Sequence, residues 1–120
     1  MAIASYQDLD VWQVAMDLAA ACYKLTEAFP KHEQFAMTSQ IRRAAVSVPA
    51  NIAEGYGRDT RAMYVQFLRI SQGSIRELET LLLLCERVQL AAASRIQLVM
   101  DLTIRVSKML RSLIRSLESK

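Results

Sequence analysis

Glycine and proline are scarce in this chain, with three copies of one and two of the other in 120 residues. Turn-rich β architectures need more of both, so a sandwich, barrel or propeller is not the expected fold. A single histidine, His32, rules out a multi-histidine metal centre. His32–Glu33 begins like a zinc-binding HExxH helix, but position 36 is Ala36, so that motif fails. No apolar run approaches the ~20 residues of a membrane span, and no membrane partner is expected. The N-terminal MAIASYQDLD carries neither a basic region nor a long apolar segment, so it does not read as a signal peptide. The two cysteines, Cys22 and Cys85, lie far apart without a CxxC context, each within an apolar helical segment. They read as reduced core thiols of a cytoplasmic protein rather than a disulfide. Runs of like charge are missing too. The net charge of +3 permits nucleic acid as a partner without demanding it.

What the chain does have is an apolar fraction of 52%, repeated at the helical spacings of three and four. Four stripes appear: Leu9 to Thr26, Met37 to Ile52, Tyr64 to Cys85, and Ile96 to Leu117. Phe29–Pro30 ends the first, because a proline pushes the residue before it out of the α region. Gly55-Tyr56-Gly57 supplies glycine for the end of the second. Asp59 and Thr60 can cap the third. Ser94 and Gln97 have the spacing of a capping box for the fourth. The expected helices are 8–28, 31–55, 60–87 and 94–118. Short connections make successive helices antiparallel neighbours. The expected architecture is therefore an all-α, up-down-up-down four-helix bundle, with residues 1–120 as one domain. Phe67, Ile70, Leu81 and Leu84, with Leu98, Leu102 and Met109, exceed what one inward face per helix needs. This surplus points to a subunit interface.

The segment SQIRRAAVSVPANIAEGYGR, residues 39–58, carries Pro49 inside its apolar pattern. Ile52 keeps the phase of Ile41, Ala45 and Val48, so Pro49 is expected to kink the second helix rather than end it, at ~3 kcal/mol. The small residues Ala44, Ala45, Ser47 and Ala50 let another helix come close. Gly73 and Ser74 on the third helix are the expected other half of that contact. Asn51 and Glu54 are placed to bond backbone freed by Pro49 or the Gly55–Gly57 turn; a polar ligand site is the alternative.

The blocks FPKHEQFAMTSQIRRAAVSVPANIAEGYGR and FLRISQGSIRELETLLLL resemble the four-helix-bundle family encoded in bacterial 23S rRNA intervening sequences. Gln40, Arg43, Asn51, Glu54, Gly55, Gly73, Ser74, Glu77 and Glu79 match the family pattern. The resemblance implies a bundle that assembles as a homopentamer, with no established enzymatic activity. The accessory variability determinant of diversity-generating retroelements is similar in fold. That relative binds a reverse transcriptase and nucleic acid through its pentamer.

Chemistry is thin in the residues themselves. There is no glycine-rich phosphate loop, no Glu-x-x-His and no paired carboxylates at helical spacing, so neither a metal nor another cofactor is expected. A carboxylate-dependent hydrolase near Asn51 and Glu54 is the weakest of three readings. Binding fares better. Arg105, Lys108, Arg111 and Arg115 make one basic stripe on the last helix, and Arg42, Arg43, Arg58 and Arg61 are a second basic group. Five copies of a +3 chain would carry roughly +15 and favour polyanions. No aromatics are interleaved with either basic group in the sequence, which argues for phosphate contacts over base stacking. The leading reading is a non-enzymatic homo-oligomer binding structured RNA, another nucleic acid, or a nucleic-acid-processing protein. Its rival is a protein-interaction scaffold with no nucleic-acid contact.

Overall fold

The computed structural model describes residues 3–120. The chain folds as four α-helices, α1 (Asp10–Glu27), α2 (Met37–Tyr56), α3 (Arg61–Arg87) and α4 (Ala93–Glu118), with two short 3-10 turns at Tyr6–Asp8 and Lys31–Glu33. No strand occurs among the described residues. Each helix packs on its neighbours in the order α1–α2–α3–α4 and back to α1, which is the expected bundle, 46 Å long and 24 by 23 Å across. Leu18, Ile41, Ile52, Leu68, Ile75, Leu82 and Leu110 are among the fully buried side chains at its centre. In α4 the buried stripe ends on Ile114 rather than Leu113 and Leu117, which are half-buried. The 3.6-residue period carries the core-facing position from Leu110 to the residue four later.

Helix boundaries follow local chemistry. Thr60 holds an extended backbone and its hydroxyl accepts from the Met63 N–H at 3.1 Å, capping α3. The end of α3 is a Schellman turn: the Leu90 N–H donates to the Cys85 carbonyl at 2.9 Å, the Gln89 N–H to Glu86 at 3.2 Å, and Gln89 takes φ 61°. Leu90 then packs on the core.

Three expected boundaries differ. Pro30 opens a 3-10 turn, not an α-helix, and α2 begins only at Met37. Ala36, at φ −119° and ψ −105°, interrupts the helical path between them. Ser94 and Gln97 form no capping box. Ala92 already occupies the extended cap position, so Ser94 is inside the helix, and the Gln97 amide donates instead to Asp101 Oδ1 at 2.8 Å. Gly55 does not end α2. The chain leaves at Gly57, and no described glycine has positive φ.

Gly55 has a different job, the close approach of α2 to α3. A Cβ there would stand 2.6 Å from Phe67 Cβ. Gly73, by contrast, is exposed, and a Cβ added to it would meet nothing within 4 Å, so it is not the partner of the small residues on α2. Ser74 is: its hydroxyl lies 2.7 Å from Ser47 Oγ. The expected pairing missed Gly73 because adjacent helical residues point about 100° apart.

The surplus apolar residues divide. Leu81 is buried, and Leu102 and Met109 pack at the edge of the core, so the bundle itself absorbs them. Phe67 is half-buried, and Ile70, Leu84 and Leu98 remain exposed, Leu98 to 70%.

Candidate nucleic-acid interface

Arg105, Lys108, Arg111 and Arg115 are all exposed along α4. The antiparallel register of α3 against α4 brings in cations from the other helix. Arg69 and Gln72 join Arg111 and Arg115 around a shallow groove of about 290 Å³, with Ile114 beneath and Glu118 at its rim. Arg69 donates to Glu118 Oε2 at 2.8 Å. Two turns further along α3, Arg76 pairs with Glu79 Oε1 at 2.6 Å and reaches Ser107 Oγ on α4 at 3.4 Å. Both ion pairs are exposed at their arginines, so each contributes under about 1 kcal/mol and can be exchanged for a phosphate. The edge thus presents Arg69, Arg76, Arg111 and Arg115 against Glu79 and Glu118, with Arg105 and Lys108 exposed on α4 but tied to α3 by no contact. Sequence reading missed Arg69 and Arg76. Their spacing of seven, which returns to one helix face, was the available signal.

The second basic group is not one patch. Arg42 and Arg43 sit in the second turn of α2, while Arg58 and Arg61 lie past its other end, ~24 Å away along a helix rising 1.5 Å per residue. Arg42 ties α2 to α1: its Nε donates to Thr26 Oγ1 at 2.9 Å and its guanidinium lies 4.6 Å from the Tyr23 ring centroid. Arg58 pairs with Glu54 at 3.0 Å and covers the Phe67 ring at 4.7 Å. Arg61 donates to the Lys120 carbonyl, which places it beside the α3–α4 edge. Arg43 is exposed and makes no ion pair to the described residues.

Around Pro49 the geometry is structural. α2 runs through Pro49 without a break. Asn51 Nδ2 donates to the Ser47 carbonyl at 2.8 Å and to Ser47 Oγ at 3.0 Å, one turn back, rather than to the Ala45 carbonyl that Pro49 leaves free. Buried Ser71 donates to the Val48 carbonyl at 2.9 Å. Together with Ser47 and Ser74 these groups form a polar seam where α2 meets α3. Glu54 stands apart from it, engaged with Arg58. Asn51 and Glu54 therefore do not converge on a shared pocket.

Burial pushes the Cys22 thiol up to about 12 and the Cys85 thiol to about 11, the latter aided by the charge of Glu33. Both are unpaired and buried, too poorly ionised to act as nucleophiles near neutral pH. His32 is exposed, with Nε2 3.6 Å from Glu33 Oε2. Among the described residues no group of three or more His, Cys, Asp or Glu could hold a metal ion, and no helix is long and apolar enough to cross a membrane.

The family model described as 23S rRNA-intervening sequence protein matches residues 7–112. The chain belongs to that family. The match covers the first three helices and most of α4, well beyond the two sequence blocks that carry the resemblance. A crystal structure of a protein of unknown function from the S23 ribosomal protein family of Bacteroides thetaiotaomicron is similar in fold. Its TM-score is 0.82, with 24% identity over 88% of this chain and 95% of that one. No curated protein matches. The family is not a known enzyme family.

Proposed function

We propose that this protein is a non-enzymatic homo-oligomer that binds nucleic acid, structured RNA or an RNA/DNA duplex, through the α3–α4 edge. The observation that carries the reading is the exposed set Arg69, Arg76, Arg111 and Arg115, gathered from two helices along one edge. Arginines of this kind make phosphate contacts that respond to backbone shape rather than base sequence. Oligomerisation is supported by Met63, Ile70 and Leu84, exposed apolar residues on one outward row of α3 that Glu77 interrupts. A ring of five subunits, as the resemblance implies, would repeat the basic edge five times and let weak contacts add through multivalency. The repeated edges would serve nucleic acid, or a nucleic-acid-processing protein bound to it.

The test is a titration of labelled RNA hairpin and duplex DNA at two salt concentrations, with light scattering to give the subunit number. The expected result is affinity that falls steeply with salt, and a shallower salt slope with weaker binding in Arg111→Glu/Arg115→Glu, because fewer counterions are released. The double variant should remain folded and assembled, since both side chains lie outside the core. Dissociation into monomers would make these arginines interface residues. Unchanged polyanion binding by an assembled variant would remove the α3–α4 edge from the reading, and no binding at low salt would leave the protein scaffold in its place.

A further inference from the structure

We propose that a second site, at the opposite end of the bundle, stacks an unpaired base of a single strand on Phe35 and holds the adjoining phosphate with Arg43. The inference rests on the nucleic-acid reading above and adds the strand form that is recognised. The last turns of α1 and the first turns of α2 enclose a groove of about 490 Å³. Tyr23, Phe35 and Val46 supply its apolar walls, and Arg42, Arg43 and Ser39 its polar groups. No carboxylate lines it, so its charge is wholly positive.

The parts are unequal, and the inequality defines the site. Arg42 is already engaged: its bond to Thr26 and its place over Tyr23 fix that ring rather than leave the guanidinium free for a ligand. Arg43, the next residue, makes no hydrogen bond or ion pair to the described chain. Phe35 is 90% exposed, the most exposed of the large apolar side chains among the described residues. The backbone break at Ala36 separates it from the α2 register that would turn it inward. An aromatic ring held in water beside an unpaired cation matches one ligand chemistry well, a planar ring joined to an anion.

An unpaired nucleotide has that chemistry, whereas in a duplex each base face is covered by the next. The groove volume falls in the range of small-ligand sites, enough for one nucleotide unit. Proximity in the fold, not in the sequence pattern, is what brings aromatics to this pair of arginines. The site is also separate from the α3–α4 edge, because Arg111 and Arg115 lie near the end of α4 and that end is at the other pole of the bundle.

The test compares the full chain with Phe35→Ala, Phe35→Trp and Arg43→Gln, using a labelled single-stranded RNA and a duplex of the same sequence at low salt. Phe35→Ala should weaken single-strand binding about tenfold, as removal of one stacking platform does. Phe35→Trp should restore it, Arg43→Gln should weaken it severalfold, and duplex binding should change less than twofold throughout. Circular dichroism should show full helicity, since neither side chain is in the core. Single-strand affinity unchanged in Phe35→Ala, or lost equally for duplex, overturns this inference and leaves the α3–α4 edge standing. Failure of the parent chain to bind either form overturns both. Displacement of the strand by equimolar adenosine monophosphate would make the groove a free-nucleotide site and overturn the strand assignment.

Discussion

Two glycines in neighbouring helices should respond in opposite directions to the same substitution. Gly55 lies in α2 against α3; a Cβ there would stand 2.6 Å from Phe67 Cβ and 3.2 Å from both the Tyr64 ring and its carbonyl oxygen. Phe67 Cβ is fixed to its backbone and cannot swing aside, so Gly55→Ala must push the helices apart. Overpacking of this kind typically costs about 1–3 kcal/mol. Against it stands the helix-propensity gain of alanine over glycine, about 1 kcal/mol. The net expectation is a loss of about 1 kcal/mol, a fall in Tm of about 4 °C for a domain of this size. Gly73 is also mid-helix, but a Cβ there meets nothing within 4 Å. Gly73→Ala should therefore keep the whole propensity gain and raise Tm by a similar amount. Urea and thermal denaturation followed by circular dichroism, at fixed protein concentration, measures both. Equal stabilisation by the two substitutions would refute the close α2–α3 approach. A loss of stability in Gly73→Ala that grows with protein concentration would show that another subunit packs over that position.

Further outcomes follow from the same geometry. Gln89 holds the left-handed position of the α3 Schellman turn, so Gln89→Gly should stabilise the fold by about 1 kcal/mol in urea unfolding. Ser71→Ala removes the buried bond to the Val48 carbonyl beside Pro49 and should lower stability by about 1 kcal/mol. The Cys22 thiol is held neutral by burial, its pKa raised from 9.0 to about 12, so the unfolded chain loses this proton first. The stability it contributes is present below pH 9 and lost as pH rises toward 12, and Cys22→Ala should flatten the alkaline arm of a stability–pH curve.

Much of this protein is local in origin and was legible in its sequence. The helices, their approximate limits and the α3 cap at Thr60 follow from apolar spacing and from side chains that bond their own backbone within one turn. Where a boundary depended on backbone dihedrals, spacing misled: Ser94 and Gln97 had the right separation, but Ala92 had already taken the extended conformation a cap requires. The sites are another matter. The basic edge needed Arg69 and Arg76, which only the antiparallel register of α3 and α4 sets beside Arg111 and Arg115. The arginines grouped as Arg42, Arg43, Arg58 and Arg61 were divided between the two ends of α2. The aromatic residues missing from their sequence neighbourhood arrived from α1 and the turn before α2. Gly55 read as a helix end and Gly73 as a close contact, and the fold reverses them, because only the neighbouring helix decides what stands opposite each. Periodicity records which side of a helix avoids water, because burial acts on each residue through its own side chain. It carries no record of which neighbour meets that side, or at what height, because those contacts exist only between segments that packing brings together.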